Sequence, residues 1–427
     1  MKSQFIIYLG AIFLLLSCNN NNQIAVAGDY QQELEQQPKV LDWIAKDLQF
    51  WEQKAVQHPN QFPYKAKLAA AYGTVFSTTQ DIAALNKANA LWDQVNQTTS
   101  FKNAGYLRAA ARLAITAHEF KKAHNLLKLA EDSGQRLQDT QKMLFDVCME
   151  LGFYQEAKLY LDTVKDFTDV DYLIRRSKWE DYLGNLPEAI SFLERVLEIA
   201  YSNNNTSLQL WSITNLADYY GHAGTVLKSY NNYLNALALD PENKYAKKGI
   251  AYIAFAKDNN PTEAIRIMEA ITRQHRTPDD LLFLADLYQA TGNFKAQKES
   301  LSAFRILLES GQYGALYNIP LAMLWAEEDK EFSKAIALLK HEVARRATPE
   351  TYSALAYVYL LSGDATKALN LAQEFVIGQS SEPVLLLQTA AILKANGITN
   401  QALELKAELM EAAFELGPAA MQHVKAL

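Results

Sequence analysis

Turn-forming residues are scarce in this chain: 17 glycines and 11 prolines in 427 residues, against averages near 7% and 5% for soluble proteins. So few corners exclude a many-stranded sandwich or barrel and leave helices joined by short loops. Two cysteines exclude a disulfide framework and any multi-cysteine zinc site. Basic excess is lacking too. The 41 Lys and Arg against 48 Asp and Glu leave a net charge of −7, which argues against a dedicated nucleic-acid partner and leaves room for a local basic patch. By length alone the chain could hold two or three domains.

One long apolar run is present, Phe5 to Leu16, with Lys2 ahead of it. It is too short to cross about 30 Å of hydrocarbon as a permanent helix and suits the core of a secretory signal. The run ends in Leu15-Leu16-Ser17-Cys18 and turns abruptly polar at Asn19 to Asn22. Leu-Leu-Ser-Cys resembles the bacterial lipobox, whose cysteine is acylated and becomes the first residue after cleavage. That resemblance implies a lipoprotein signal peptide at 1–17, lipid attachment at Cys18 and a bacterial envelope location. Asn19 in place of Asp is similar to lipoproteins released to the outer membrane, with the leaflet left open. Residues 18–37, rich in Asn and Gln, read as a flexible tether.

From Phe62 onward one pattern repeats. Tyr352-x2-Leu355-Ala356-x2-Tyr359 is followed by Gly363-Asp364 and Ala368-x3-Ala372; Ile213-x2-Leu216-Ala217-x2-Tyr220 is followed by Gly224, Tyr233, Ala236 and Asp240-Pro241. A second-helix alanine recurs at 88, 123, 157, 189, 264, 335, 368 and 402, with Ser229 and Gln297 in two weaker copies, at gaps of 32 to 40 residues. Small residues at Ala69, Ala111, Ala217, Ala285 and Ala356 would let paired helices approach closely, and Tyr72, Tyr220, Tyr288 and Tyr359 would fill the space between pairs. The pattern resembles the tetratricopeptide repeat (TPR). The chain as a whole resembles the TPR lipoproteins of Bacteroidota. The fold implied is an all-α, right-handed superhelix (α-solenoid) of about ten helix pairs over 62–416. An amphipathic capping helix is expected at 38–61, with Leu41, Ile44, Leu48, Trp51 and Val56 inward. A second cap is expected at 417–427, after the Gly417-Pro418 stop, because a solenoid needs both ends covered.

Three spacings depart from the period. The first repeat carries about seven extra residues near Ser77 to Gln80. Asn203 to Thr206 and Glu309 to Gly314 lengthen two joints, which read as tolerated surface loops.

No catalytic or phosphate-cradling motif is present, and neither an enzyme activity nor a cofactor is expected. His118-Glu119-x4-His124 has its histidines six apart across a turn, the wrong spacing for a zinc-binding helix face, and reads as solvated. Cys148 reads as a buried small hydrophobe. Asp279-Asp280 and Glu327-Glu328-Asp329 read as helix capping and solvation.

In the TPR family the first helix of each pair lines the concave face. By register this implies inward positions at Arg108, Arg112, Lys142, Asp146, Ile174 and Lys178, then Asp218, Leu282, Asp286, Ser353 and Tyr357. The early groove would be basic and the later part more acidic or neutral. Arg108, Arg112, Lys142 and Lys178 are the candidate partner-binding residues, with Arg forks suited to carboxylates. The Asn-and-Lys carboxylate clamp of chaperone-binding members is absent, since Ala109, Met143 and Arg175 hold the neighbouring positions. The expected function is a membrane-anchored, non-enzymatic scaffold that binds a protein or peptide partner. The alternative is a glycan- or nutrient-capturing outer-membrane lipoprotein, which would need aromatic platforms on the joints, where only Tyr201 and Tyr313 are available.

Overall fold

The structure is a computed structural model that describes residues 23–35, 42–273 and 275–427. Cys18 and the expected signal at 1–17 lie outside the described residues, as do Pro38 and Leu41 of the expected first cap. Among the described residues all regular structure is helical. No described helix is long and apolar enough to cross a membrane.

Ten antiparallel helix pairs follow one another. Repeat 1 pairs Phe62–Thr79 (α3) with Ile82–Thr98 (α4), after two helices at Gln31–Glu35 (α1) and Asp42–Gln57 (α2). Repeats 2 to 4 are Ala104–Thr116 (α5) with Phe120–Asp132 (α6), Leu137–Leu151 (α7) with Tyr154–Thr163 (α8), and Val170–Tyr182 (α9) with Leu186–Ser202 (α10). Repeats 5 to 7 are Thr206–His222 (α11) with Val226–Leu239 (α12), Lys244–Ala256 (α13) with Pro261–Ile271 (α14), and Pro278–Ala290 (α15) with Phe294–Glu309 (α16). Repeats 8 to 10 are Asn318–Glu327 (α17) with Phe332–Arg345 (α18), Pro349–Leu361 (α19) with Ala365–Phe375 (α20), and Pro383–Ala395 (α21) with Thr399–Glu411 (α22). Ala413–Ala426 (α23) ends the chain's helices. The chain folds as the expected TPR-type α-solenoid.

The alanine register explains the packing. Ala88, Ala123, Ala157, Ala189, Ala264, Ala335 and Ala368 are all fully buried, as are the first-helix residues Ala69, Ala111, Ala217 and Ala356. A methyl at these points lets backbones approach where a larger side chain would hold them apart. Side-chain caps fix the helix starts. Asn103, Asn205, Asn243 and Asn293 accept backbone N–H groups, and Thr277 and Thr348 form reciprocal capping boxes ahead of Pro278 and Pro349. Several tyrosines tie a first helix to the second helix before it. The hydroxyls of Tyr72, Tyr220 and Tyr288 donate to Glu52, Glu194 and Glu269 at 2.5, 2.5 and 2.8 Å.

The solenoid then does something its periodicity does not announce: it packs on itself. The Lys121 ammonium donates to the Ala344 carbonyl at 2.7 Å, 223 residues away, and Arg345 donates to the His118 carbonyl at 2.9 Å, 227 residues away. Asn86 donates to the Gln312 carbonyl at 2.9 Å across 226 residues. With repeats of about 34 residues, these separations correspond to between six and seven repeats. The intra-repeat turns at Gly152 and Gly184 meet Ala347 and Ser381, which lie in the joints between later repeats, and Gly221, near the end of α11, meets Phe414 at the start of α23. One edge of the helical ribbon therefore rests on the opposite edge one superhelical turn later.

Three expectations are corrected here. Residues 23–35, read as part of a flexible tether, are folded against α12, α13 and α14. The Asp258 carboxylate accepts the Ile24 and Ala25 N–H groups at 2.9 and 2.8 Å, Tyr30 is 1% exposed, and its hydroxyl donates to Glu263 at 2.7 Å. The low count of apolar residues concealed Ala25, Tyr30 and Leu34, which suffice because carboxylates and the Tyr230 hydroxyl satisfy the backbone between them. The extra residues of repeat 1 are taken up by α3, which runs to 18 residues. The joint at 309–314 is not a free surface loop, because Tyr313 packs on Ile82 and Leu85 of repeat 1. In α2 Ile44 is buried, but Val56 is 80% exposed.

Gly152 stands at φ +78°, and a Cβ there would come within 2.7 Å of the Ala347 carbonyl oxygen. Gly292 occupies the same kind of turn at φ +70° with nothing near its missing Cβ. Gly292→Ala should cost about 1 kcal/mol for the left-handed backbone alone, and Gly152→Ala clearly more. Chemical denaturation of the two variants checks the difference, which vanishes if the turns do not touch.

Candidate functional site

The first helices of the early and middle repeats enclose a cavity of about 1350 Å³, closed on one side by the joint at Tyr313 to Tyr317. Seven cationic side chains line it: Arg108 and Arg112 on α5, Arg136 before α7, Lys142 on α7, Arg175 on α9, and Lys244 and Lys248 on α13. Four carboxylates oppose them, Asp139, Asp171, Asp279 and Asp280. In a chain of net charge −7, the lining of this cavity holds three more cations than carboxylates. Trp92, Tyr245, Tyr313 and Tyr317 add aromatic surface.

Most of these cations are held in place. Arg108 donates to the Gln135 carbonyl at 2.8 Å and to the Thr140 hydroxyl at 3.1 Å; burial lowers its pKa, with Asp139 acting against that shift. Lys142 pairs with Asp169. Arg175 binds Asp146 at 2.6 Å and donates to the Lys142 carbonyl at 2.7 Å, so α7 and α9 are laced together along the wall. Lys248 pairs with Asp280 at 2.9 Å. Arg136 pairs with Asp139 at 2.6 Å. Arg112 and Lys244 are exposed to the cavity, and no side-chain partner is found for either among the described residues. The buried Nε2 of His275, on the same lining, also lacks a hydrogen-bond partner among them.

Three of the four candidate residues, Arg108, Arg112 and Lys142, come together here. Lys178 does not. It points toward the intra-repeat turn and pairs with Glu150 at 2.9 Å; burial opposes its charge, but Glu150 and Asp146 outweigh burial and raise its pKa. The register reading passed over Arg175, which lines the wall beside Ile174, and the whole of α13. Lys248 could have been found. Buried Lys247, Ile250, Ala251 and Ala254 match Leu107, Ala110, Ala111 and Ala114, so Lys248 holds in repeat 6 the place of Arg108 in repeat 2. Asp279 and Asp280 do cap α15, as expected, and also face the cavity. The His118-to-His124 string divides: His118 sits in the turn at φ +55°, stacked on Phe120, while His124 belongs to α6.

The acidic character expected farther along takes the form of a crowd at the seam between turns. Enclosure, then the neighbouring Glu350, Glu415 and Asp181, push Glu382 up to about 7; the residue is nonetheless exposed, so solvent screens the effect on stability. Enclosure pushes Asp286 up to about 6, again with solvent contact. Both values lie above those of an unfolded chain, so the folded state binds more protons and loses stability as pH rises from about 4 through 7. Glu382→Gln should leave the melting temperature near that of wild type at pH 4 and raise it at pH 7.5. Thermal melts at the two pH values check this, and an equal change at both would contradict it.

No family model matches the chain, and no curated protein sequence matches it. Solved structures do resemble it in fold. A human IFIT1 dimer with PPP-AAAA superposes with a TM-score of 0.47 at 13% identity, covering 76% of each chain. The Cut9–Hcn1 hetero-tetramer of the APC/C gives 0.35 at 13% identity over 91% of this chain and 96% of that one. A tetratricopeptide repeat protein from Parabacteroides merdae gives 0.36 at 15% identity over 60% of this chain and 97% of that one.

Proposed function

We propose that this protein is a membrane-anchored, non-enzymatic scaffold whose central cavity receives an acidic segment of a protein partner. The observation that carries the reading is the cavity's charge: seven cations face four carboxylates, and Arg112 and Lys244 have their charges uncommitted among the described residues. A partner's Asp or Glu side chains would complete those two groups in a partly enclosed space, where charge-assisted hydrogen bonds are worth more than at an open surface. The aromatic walls would accept the apolar residues between them.

Anchoring rests on the lipobox-like run before Cys18 and gains a geometric meaning from the docked segment that follows it. Only residues 19 to 23 separate the acylation site from the docked Ile24, a reach of roughly 20 Å when extended. The membrane would therefore hold the solenoid near repeats 5 and 6 and not by a long leash. The glycan-capture alternative is weakened by the fate of its two joint aromatics, since Tyr201 is exposed but Tyr313 is spent on the seam.

Crosslinking in cells, followed by identification of what is recovered, tests the cavity. Arg112→Glu combined with Lys244→Glu should reduce recovery of the principal protein partner at least tenfold while the protein stays at the membrane. Unchanged partners would reject the reading, and capture of an oligonucleotide or glycan in place of protein would replace it. Separately, Cys18→Ala should abolish palmitate incorporation and release the protein from the membrane fraction.

A further inference from the structure

We propose that His124, Cys148 and Glu156 form a binding site for a zinc-class divalent metal ion between repeats 2 and 3. The three side chains come from three helices, α6, α7 and α8, and their ligand atoms all lie within 4.8 Å of one another. His124 Nε2 is 3.8 Å from a Glu156 carboxylate oxygen. Around a tetrahedral ion with bonds of roughly 2.0 to 2.3 Å, neighbouring ligand atoms stand about 3.3 to 3.8 Å apart. Closing the site therefore needs a shift of about 1 Å from those distances. Glu156, 38% exposed at the rim, has the freedom to make it.

Packing alone does not account for the arrangement. His124 Nε2 is shielded from solvent, aims at the cluster and has no hydrogen-bond partner among the described residues. Structural histidines normally spend both ring nitrogens. Cys148 is fully buried, and a purely apolar role for it leaves the histidine and carboxylate beside it unexplained. The other charged groups nearby are already engaged: Lys128 binds Glu131 at 2.5 Å and the Tyr160 hydroxyl at 3.1 Å.

The donor set also decides the kind of ion. A thiolate and an imidazole favour zinc, cobalt and their neighbours over magnesium or calcium. Thiolate and carboxylate together cancel a dication's charge, so the loaded site is neutral where a net charge would be costly. Three protein ligands leave a fourth position, on the Glu156 side, for water. Without an ion, burial and then Glu156 hold the thiol proton on, pushing its pKa up to about 12. A dication reverses that preference by displacing the proton, so binding releases one proton and weakens as pH falls.

The full chain carrying Cys18→Ala, in which Cys148 is the sole thiol, is stripped with chelator and titrated with Co²⁺. A thiolate-to-cobalt band in the near ultraviolet, with the visible bands of a four-coordinate ion, should saturate at one equivalent and disappear on adding Zn²⁺. Cys148→Ser should remove the near-ultraviolet band. Glu156→Gln, at the exposed rim, should weaken binding at least tenfold with an unchanged helical circular dichroism spectrum. No saturable band, or equal titration of the wild-type triad and Glu156→Gln, overturns the site, and the second comparison decides the matter even if Cys148→Ser fails to fold.

Discussion

Everything distinctive about this molecule depends on the contact between the two edges of its own helical ribbon. A repeat solenoid is ordinarily held together by neighbours alone, each pair burying one face against the next. Here the early edge meets the late one at Lys121 of α6 with Ala344 of α18, at the intra-repeat turns Gly152 and Gly184 with the joint residues Ala347 and Ser381, and at Gly221 of α11 with Phe414 of α23. Some of these contacts are polar, a side-chain donor reaching a backbone carbonyl, and others are apolar, as where Phe414 meets Gly221 and packs on Tyr252. They use small residues on the early edge and side-chain donors from both edges, Arg345 on the late one and Tyr252 on the early one.

That closure narrows an open groove into a partly enclosed space and sets its electrostatics. With Tyr313 and Tyr317 seated on repeat 1, the first helices of α5, α7, α9 and α13 face one another across a cavity instead of facing bulk water. The cations on them are fixed by paired carboxylates and carbonyls, and Arg112 and Lys244 remain to meet a ligand. At the seam the same proximity crowds Glu350, Glu382, Glu415 and Asp181, and their mutual repulsion is part of the cost of holding the two turns together. The N-terminal segment adds a brace through Tyr30 and Asp258.

Local order was readable in the sequence because it is periodic. The alanine register located nine of the ten second-helix contact points as buried small residues, with Gln297 half-buried. The capping role of Asp280 was equally visible. Contacts between residues more than 200 positions apart were not readable, because superhelical pitch is the accumulated product of small rotations that no single repeat encodes. For that reason Tyr313 read as a loop residue. Residues 23–35 were missed for a different cause: three apolar side chains do not register as a folding segment until the carboxylates that receive their backbone are in place.

The self-packed superhelix is tested most directly by joining its two edges covalently. A Cβ at Gly184 would lie 3.9 Å from the Ser381 Cβ, close to the mean separation across a disulfide. Gly184→Cys with Ser381→Cys, in a chain carrying Cys18→Ala, should form an intramolecular disulfide on mild oxidation, seen as a faster-migrating monomer in a non-reducing gel. If only reduced monomer or intermolecular dimers appear while the protein is folded, the two turns do not meet and the ribbon does not pack on itself.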